Sequence, residues 1–233
     1  MAAANPVRRS FALPKLEAAG ARFEALGDFQ IAVSYRNAAD EMATAKRMGL
    51  ADLSPLPRVG FKGAGTCNWL QSRRLKIPEA PNRAAPQTDG ALALRLAREE
   101  LLLLGGLAEG APDPGDLCNR WQVARTKPRG YPLPRQETHA WFLVSGEAAD
   151  SMLAKLCGVD LRPAKFANLT VAQTSLARVN GVICRQDLGA TLVYHLLADS
   201  ASACYLWDCL LDAMTEFQGG PVGLTAVRAL PAT

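Results

Sequence analysis

The chain is short of histidine and aromatic residues, and it has no paired-cysteine motif; each shortage removes a class of function. His139 and His195 are its only histidines. A His/Cys metal centre therefore has few candidate ligands, and no metal site is expected. The six cysteines, Cys67, Cys118, Cys157, Cys184, Cys204 and Cys209, contain no Cys-x-x-Cys spacing. Four of them fall in apolar helix or strand patterns, where a free thiol behaves as a small hydrophobe. No window approaches eighteen uninterrupted apolar residues, so no membrane span is expected. Arg8-Arg9 is followed by no apolar run of the kind a signal peptide needs. A reducing cytoplasm is the compartment this cysteine usage fits.

Charge of one sign is also scarce. The net charge of +4 is mild, and the cationic clusters Arg8-Arg9, Arg73-Arg74-Lys76 and Arg125-Lys127-Arg129 carry no aromatic interleaving. They read as solvated faces, and neither nucleic acid nor membrane is expected as a partner.

Nucleotide and nucleophile motifs are missing too. No Gly-x-Gly-x-x-Gly follows a strand, and no phosphate-binding Gly-x-x-x-x-Gly-Lys-Ser/Thr occurs. Gly63-Ala64-Gly65 lacks a third glycine and an acidic ribose partner, and reads as a turn. Val144-Ser145-Gly146 sits at a strand end without the preceding glycine of a nucleophile elbow. His195, among Tyr194, Leu196 and Leu197, reads as a core or interface histidine, and His139 at a strand start is similarly open.

What is present is a globular chain. With 233 residues and 49% hydrophobic composition it can bury a sizeable core, as one large domain or two small ones. Asp52-Leu53-Ser54 is a polar knot whose side chains can bond their own backbone. Arg58–Lys62 alternates, with Val59 and Phe61 on one strand face. Gly63-Ala64-Gly65 then turns the chain into a short helix carrying Trp69 and Leu70. Further on, His139–Ser145 reads as a strand and Ala148–Cys157 as a helix. Asn168–Val179 and Gly181–Asp187 read as antiparallel strands around Asn180-Gly181. Ala190–Leu197 reads as another strand. Ser200 suits the N-cap of a helix with an Ala203, Trp207, Leu210, Met214 stripe, and Val222–Arg228 reads as a closing strand. The fold class expected is α+β: a first lobe over 12–106, a Pro/Gly-rich connection over 107–134 and a second, ferredoxin-like lobe over 135–233.

The connection carries Trp121 and Tyr131. Two readings stand side by side: the rings are buried against a partner, or they fold back on their own domain. Trp121, Arg125, Arg129 and Tyr131 are the candidate interface residues.

The run from Asp52-Leu53-Ser54 through the strand and Lys62-Gly63 to Leu70 resembles the opening of the aminomethyltransferase family, the folate-binding T-protein of glycine cleavage and its relatives. Leu16–Phe23, Val33–Tyr35 and Asn37–Met48 look like the family's opening segment, and Asp89–Leu96 with Glu99–Leu104 like its paired strands. Ala177–Arg185 and Ser200–Phe217 are similar to one branch, the gamma subunits of heterotetrameric sarcosine oxidase and N-methylglutamate dehydrogenase. The similarity covers about residues 12–228. It implies two similar sheet-plus-helix lobes without the C-terminal barrel of the stand-alone enzymes.

The resemblance also implies chemistry, and here the residues depart from it. The family's catalytic carboxylate follows the first helix, but Leu70–Pro78 holds no Asp or Glu, and Glu79 between two prolines points to solvent. The family's pterin-binding Tyr and Glu are replaced in Arg185-Gln186-Asp187-Leu188-Gly189. Arg185 and Asp187 are the weak cofactor-binding candidates that remain, and no catalytic residue is expected. A gamma-type subunit would be non-catalytic and would pack with alpha, beta and delta subunits. Those would hold FAD, FMN, NAD and tetrahydrofolate in a complex that oxidatively demethylates sarcosine or N-methylglutamate. The alternative is a free-standing tetrahydrofolate-binding protein of the aminomethyltransferase kind.

Overall fold

The computed structural model describes residues 8–126 and 128–230. Lys127 of the third cationic cluster, and part of the N-terminus read for a targeting segment, lie outside the described residues.

The chain opens with α1 (Leu13–Ala18), begun by a proline where a missing N–H costs nothing. The hairpin β1 (Arg22–Leu26) and β2 (Phe29–Ser34) turns at Gly27. Asn37 caps α2 (Ala38–Met48): its side chain accepts the Asp40 N–H at 3.0 Å. Asp40 and Glu41 in the first turn and Lys46 and Arg47 in the last complement the helix dipole. β3 (Gly49–Asp52) follows directly and is buried throughout.

Next come β4 (Arg58–Gly63), α3 (Thr66–Ser72), β5 (Arg83–Pro86), β6 (Leu92–Ala97), β7 (Glu100–Leu104), α4 (Asp116–Val123) and β8 (Gly130–Leu133). Their strands form a five-stranded antiparallel sheet in the order β5-β6-β7-β4-β8. The last part holds β9 (His139–Ser145), α5 (Ala149–Leu153), β10 (Val171–Leu176), β11 (Val179–Arg185), β12 (Val193–Asp199), α6 (Ala203–Met214), β13 (Gly220–Pro221) and α7 (Leu224–Ala229). A six-stranded sheet runs β10-β11-β12-β9-β3-β13, antiparallel at β12/β9/β3 and parallel at β3/β13. The fold is α+β, as the sequence led us to expect.

Contacts divide the chain into two units. One takes the chain up to Pro55, His139–Asn168 and everything from Thr174; the other takes Leu56–Thr138 with Leu169–Gln173. The units interleave along the chain, where the sequence reading drew contiguous lobes. The reason lies in β3, which pairs with β9 rather than with a strand of its own half. From Ala140 to Ser145 every residue of β9 is buried. A strand covered on both faces reads as a continuous apolar run, as His139–Ser145 does. α6 lies against the same sheet through its stripe, with Trp207 edge-on to Phe142 at 5.5 Å between ring centroids.

Several local expectations are corrected. The 107–134 connection contains α4 and β8, because Leu117 and Trp121 recur at helical spacing on a buried face. Val222–Arg228 is not a strand: the strand is Gly220–Pro221, and Leu224 and Val227 bury one side of α7. The β10–β11 turn falls at Ala177-Arg178, both at positive φ (49° and 68°), while Asn180 and Gly181 lie inside β11. Burial of Leu176, Ile183 and Cys184 sets that register, and it outweighs the local preference of Asn-Gly for a turn. Asp199, not Ser200, caps the segment before α6: its carboxylate accepts the Ala201 N–H at 2.8 Å, and Ser200–Ser202 forms a 3₁₀ turn. Helix α5 is shorter than the Ala148–Cys157 reading.

Gly146, just past β9, has φ +118°, and a Cβ there would strike the Arg47 carbonyl. Gly146→Ala should therefore destabilise the protein by at least about 2 kcal/mol, read as a lowered urea midpoint.

Candidate functional site

In the Leu56–Thr138 unit the residues singled out from the sequence separate into buried and exposed sets. Phe61 on β4, Trp69 on α3 and Trp121 on α4 form an aromatic cluster. Trp121 is edge-on to Trp69 at 4.7 Å and 5.6 Å from Phe61. Val59, Leu101, Leu103 and Leu117 complete this core. Trp121 is only 5% exposed. Its proposed place at an interface is therefore corrected: the ring folds back on its own unit, because α4 buries it where the sequence alone showed only an aromatic residue in a proline-rich stretch.

Tyr131 is different. It lies on β8, the edge strand beside β4, and is 53% exposed. Val123, at the end of α4, is 81% exposed. Arg125 and Arg129, between them in sequence, are exposed as well. The segment thus presents two large apolar side chains and two guanidinium groups to solvent. Pro132 and the four-residue length of β8 blunt the edge against strand pairing.

In the other unit, Arg185 and Asp187 form a bidentate pair at the end of β11. Arg185 Nε and Nη2 donate to Asp187 Oδ1 and Oδ2 at 2.9 and 2.6 Å. Arg185 Nη1 donates to the Phe166 carbonyl at 2.8 Å, and the Asp187 N–H donates to Asn168 Oδ1 at 3.1 Å. The Asp187 carboxylate beside it raises the Arg185 pKa further above its ordinary value. Both carboxylate oxygens are engaged by one guanidinium, so the pair ties the 163–168 segment to β11.

The nucleophile and base candidates are also committed. Ser145 Oγ donates to the Ala45 carbonyl at 2.7 Å and is fully buried. Trp141 Nε1–H donates to His195 Nδ1 at 3.1 Å, and His195 Nε2 lies 3.0 Å from Gln186 Oε1. An indole only donates, so Nδ1 is the acceptor and the proton sits on Nε2, toward Gln186. Burial pushes the His195 pKa down from 6.5 to about 4. This is a satisfied core histidine. Glu79 is exposed, and Leu70–Pro78 carries no acid. Among the described residues no group of three or more His, Cys, Asp or Glu is placed to hold a metal ion. No helix among them is long and apolar enough to cross a membrane.

Sequence reasoning missed a polar set around Tyr35, Arg36 and Glu41. Glu41 is 2% exposed yet ionisable, and its Oε1 accepts N–H groups from Tyr35 at 3.1 Å and Gly223 at 2.6 Å. Nothing local marks it: a glutamate in the first turn of a helix reads as a solvated dipole partner. Only the return of the chain at Gly223 buries it.

No protein-family model matches the chain. Among curated proteins it is similar to the aminomethyltransferase of Mycobacterium avium (strain 104), 26% identical over 220 residues, covering 89% of this chain and 57% of that protein. The chain thus spans little more than half the length of the aminomethyltransferases it matches. It is also similar to the sarcosine oxidase subunit gamma of Corynebacterium sp. (strain P-1), 23% identical over 184 residues, 77% of this chain and 86% of that one. Among solved structures it resembles aminomethyltransferase T of the Bartonella henselae glycine cleavage system. The TM-score is 0.70 at 17% identity, over 97% of this chain and 62% of that one. The fold is therefore the one the aminomethyltransferases share. Within that class it also resembles a chain of heterotetrameric sarcosine oxidase from Corynebacterium sp. U-96, crystallised with pyrrole 2-carboxylate. There the TM-score is 0.64 at 24% identity, over 78% of this chain and 93% of that one. The sequence resemblance to sarcosine oxidase gamma subunits stands on the curated gamma subunit and this structure together.

Two outcomes follow from the geometry. Trp121→Ala should lower stability by about 3–5 kcal/mol, the cost of emptying a packed aromatic site, measured by chemical denaturation. For His195, the folded pKa lies below the unfolded one, so its contribution is complete above about 6.5 and is lost as pH falls toward about 4. Urea unfolding across that window should show a loss of up to about 3 kcal/mol, and His195→Gln should flatten the slope.

Proposed function

We propose that this chain is a non-catalytic, gamma-type subunit of an amine-demethylating oxidoreductase complex. The observation that carries this reading is coverage: the similar gamma subunit is matched over 86% of its length, the aminomethyltransferases over 57%. The site chemistry supports it. Recognition of a pterin requires matched donors and acceptors, because each unpaired buried one costs about 1–3 kcal/mol. Here the Leu70–Pro78 segment has no carboxylate, and Asp187 has both oxygens on Arg185. These residues do not fit tetrahydrofolate, and no step through it is assigned to this chain.

In this reading alpha, beta and delta subunits would hold the flavin, nicotinamide and folate groups, and the substrate would be sarcosine or N-methylglutamate. The exposed Val123, Arg125, Arg129 and Tyr131 segment would meet a partner, with its guanidinium groups facing acidic residues there. The second reading, a free-standing tetrahydrofolate-binding protein, draws on the aminomethyltransferase match, which covers more of this chain (89% against 77%).

Affinity purification of the chain from its native cells separates the two. A yellow complex with a large partner subunit is expected. A lone colourless chain that binds tetrahydrofolate in titration would establish the second reading instead. Arg125→Glu with Arg129→Glu should reduce co-purified flavin severalfold without changing the thermal unfolding of the isolated chain.

A further inference from the structure

In the unit that contains the N-terminal residues, the end of β2, the first turn of α2 and α7 surround a cavity of about 480 Å³. That volume falls in the range of small-molecule sites, about 300–1,000 Å³. None of its lining residues belongs to the Arg185–Asp187 pair, to the Trp141–His195 pair or to the exposed segment discussed above.

Ala38, Met42, Ala226 and Ala229 give the lining its apolar part, and Ser34 and Thr225 add hydroxyl groups. Three charged side chains line it, Arg22, Arg36 and Glu41. Arg22 is engaged by Ser34 Oγ at 3.1 Å and Glu24 at 3.4 Å, which leaves two charges of opposite sign without an ionic partner among the described residues. Glu41 is the buried one. Its Oε1 is held by two backbone N–H groups, while Oε2 accepts no hydrogen bond among the described residues. Glu41 lines the cavity, and a buried carboxylate oxygen without a hydrogen bond calls for a donor, of which a cation is the strongest. Arg36 is the other charge. Its guanidinium is exposed, donates to Thr44 Oγ1 at 3.4 Å and the Pro221 carbonyl at 3.1 Å, and has no acidic partner among the described residues. It keeps further N–H donors for an oxyanion. No ion pair joins Arg36 to Glu41, so neither cancels the other.

The placement is built in. Gly223 brings α7 so close to β2 that a Cβ there would strike the Val33 backbone, and the same residue's N–H fixes Glu41. Tyr35 also lines the cavity, and its hydroxyl is buried without a hydrogen-bond partner. The polar requirements of this wall are therefore incompletely met by the protein itself.

The geometry points to a binding site for a small zwitterion, an α-amino acid with an aliphatic side chain. Its ammonium lies on Glu41 Oε2, its carboxylate on Arg36 and its side chain over Ala38, Met42, Ala226 and Ala229. This assignment is independent of the subunit reading.

The test is calorimetric titration of the full chain with L-leucine, L-leucinamide and 4-methylpentanoate. Leucinamide lacks the carboxylate and 4-methylpentanoate lacks the ammonium, so each should bind at least about tenfold more weakly than leucine. Arg36→Gln should abolish the preference over leucinamide, and Glu41→Gln the preference over 4-methylpentanoate. Thr225→Trp, an exposed lining position, should fill the cavity and remove all binding with thermal unfolding unchanged. No heat with leucine at millimolar concentrations overturns the proposal. So does equal binding of the three compounds, or binding that survives Thr225→Trp. Should Glu41→Gln fail to fold, the Arg36 and Thr225 variants decide it.

Discussion

The hydrogen bonds around Trp141 hold the larger unit together. Its backbone N–H donates to Ser54 Oγ at 3.0 Å, its carbonyl accepts the Leu53 N–H at 2.8 Å, and its indole donates to His195 at 3.1 Å. One residue on β9 thus receives the polar knot after β3 on one side and β12 on the other. Ser54 is itself set by Asp52, whose Oδ1 accepts the Ser54 N–H at 3.0 Å. Each of these groups is buried, where a lost partner costs far more than the bond contributes when made. The first fifty residues therefore join the sheet of the last ninety, and the chain cannot divide at its midpoint.

That constraint also shapes the chemistry. Residues that resemble catalytic parts in isolation have structural partners: Ser145 holds the Ala45 carbonyl, His195 is neutral between Trp141 and Gln186, and Asp187 is matched by Arg185. A side chain whose hydrogen bonds are already satisfied inside a packed core has little capacity left for a substrate. The groups with spare capacity lie elsewhere, at the exposed segment around Tyr131 and in the cavity beside Glu41.

Legibility differed from element to element for physical reasons. His139–Ser145 was readable because a strand buried on both faces is an apolar run, and α6 because its stripe repeats every three to four residues. The β10–β11 turn was misplaced because Asn-Gly is a local signal, whereas the register answers to which side chains the sheet buries. α7 was misread because Val222, Leu224 and Val227 satisfy strand and helix spacings alike over so short a run. Trp121 was undecidable because its cover, Phe61 and Trp69, lies fifty to sixty residues away. Of the site residues, Arg185 and Asp187 were named from the sequence, but their mutual capture was not visible there. Tyr131, Arg125 and Arg129 were found exposed.

The sequence by itself determined the α+β class and the shortage of metal ligands, because composition and local periodicity are properties of neighbouring residues, and its motifs at Ala177–Arg185 and Ser200–Phe217 carried the resemblance to gamma subunits. The tertiary structure alone decided which strand β3 pairs with, which tryptophan is buried and that Glu41 ends in a cavity facing Arg36. Each of those depends on contacts between residues far apart in the chain, Glu41 with Gly223 and Leu53 with Trp141, and long-range burial is what local pattern does not encode.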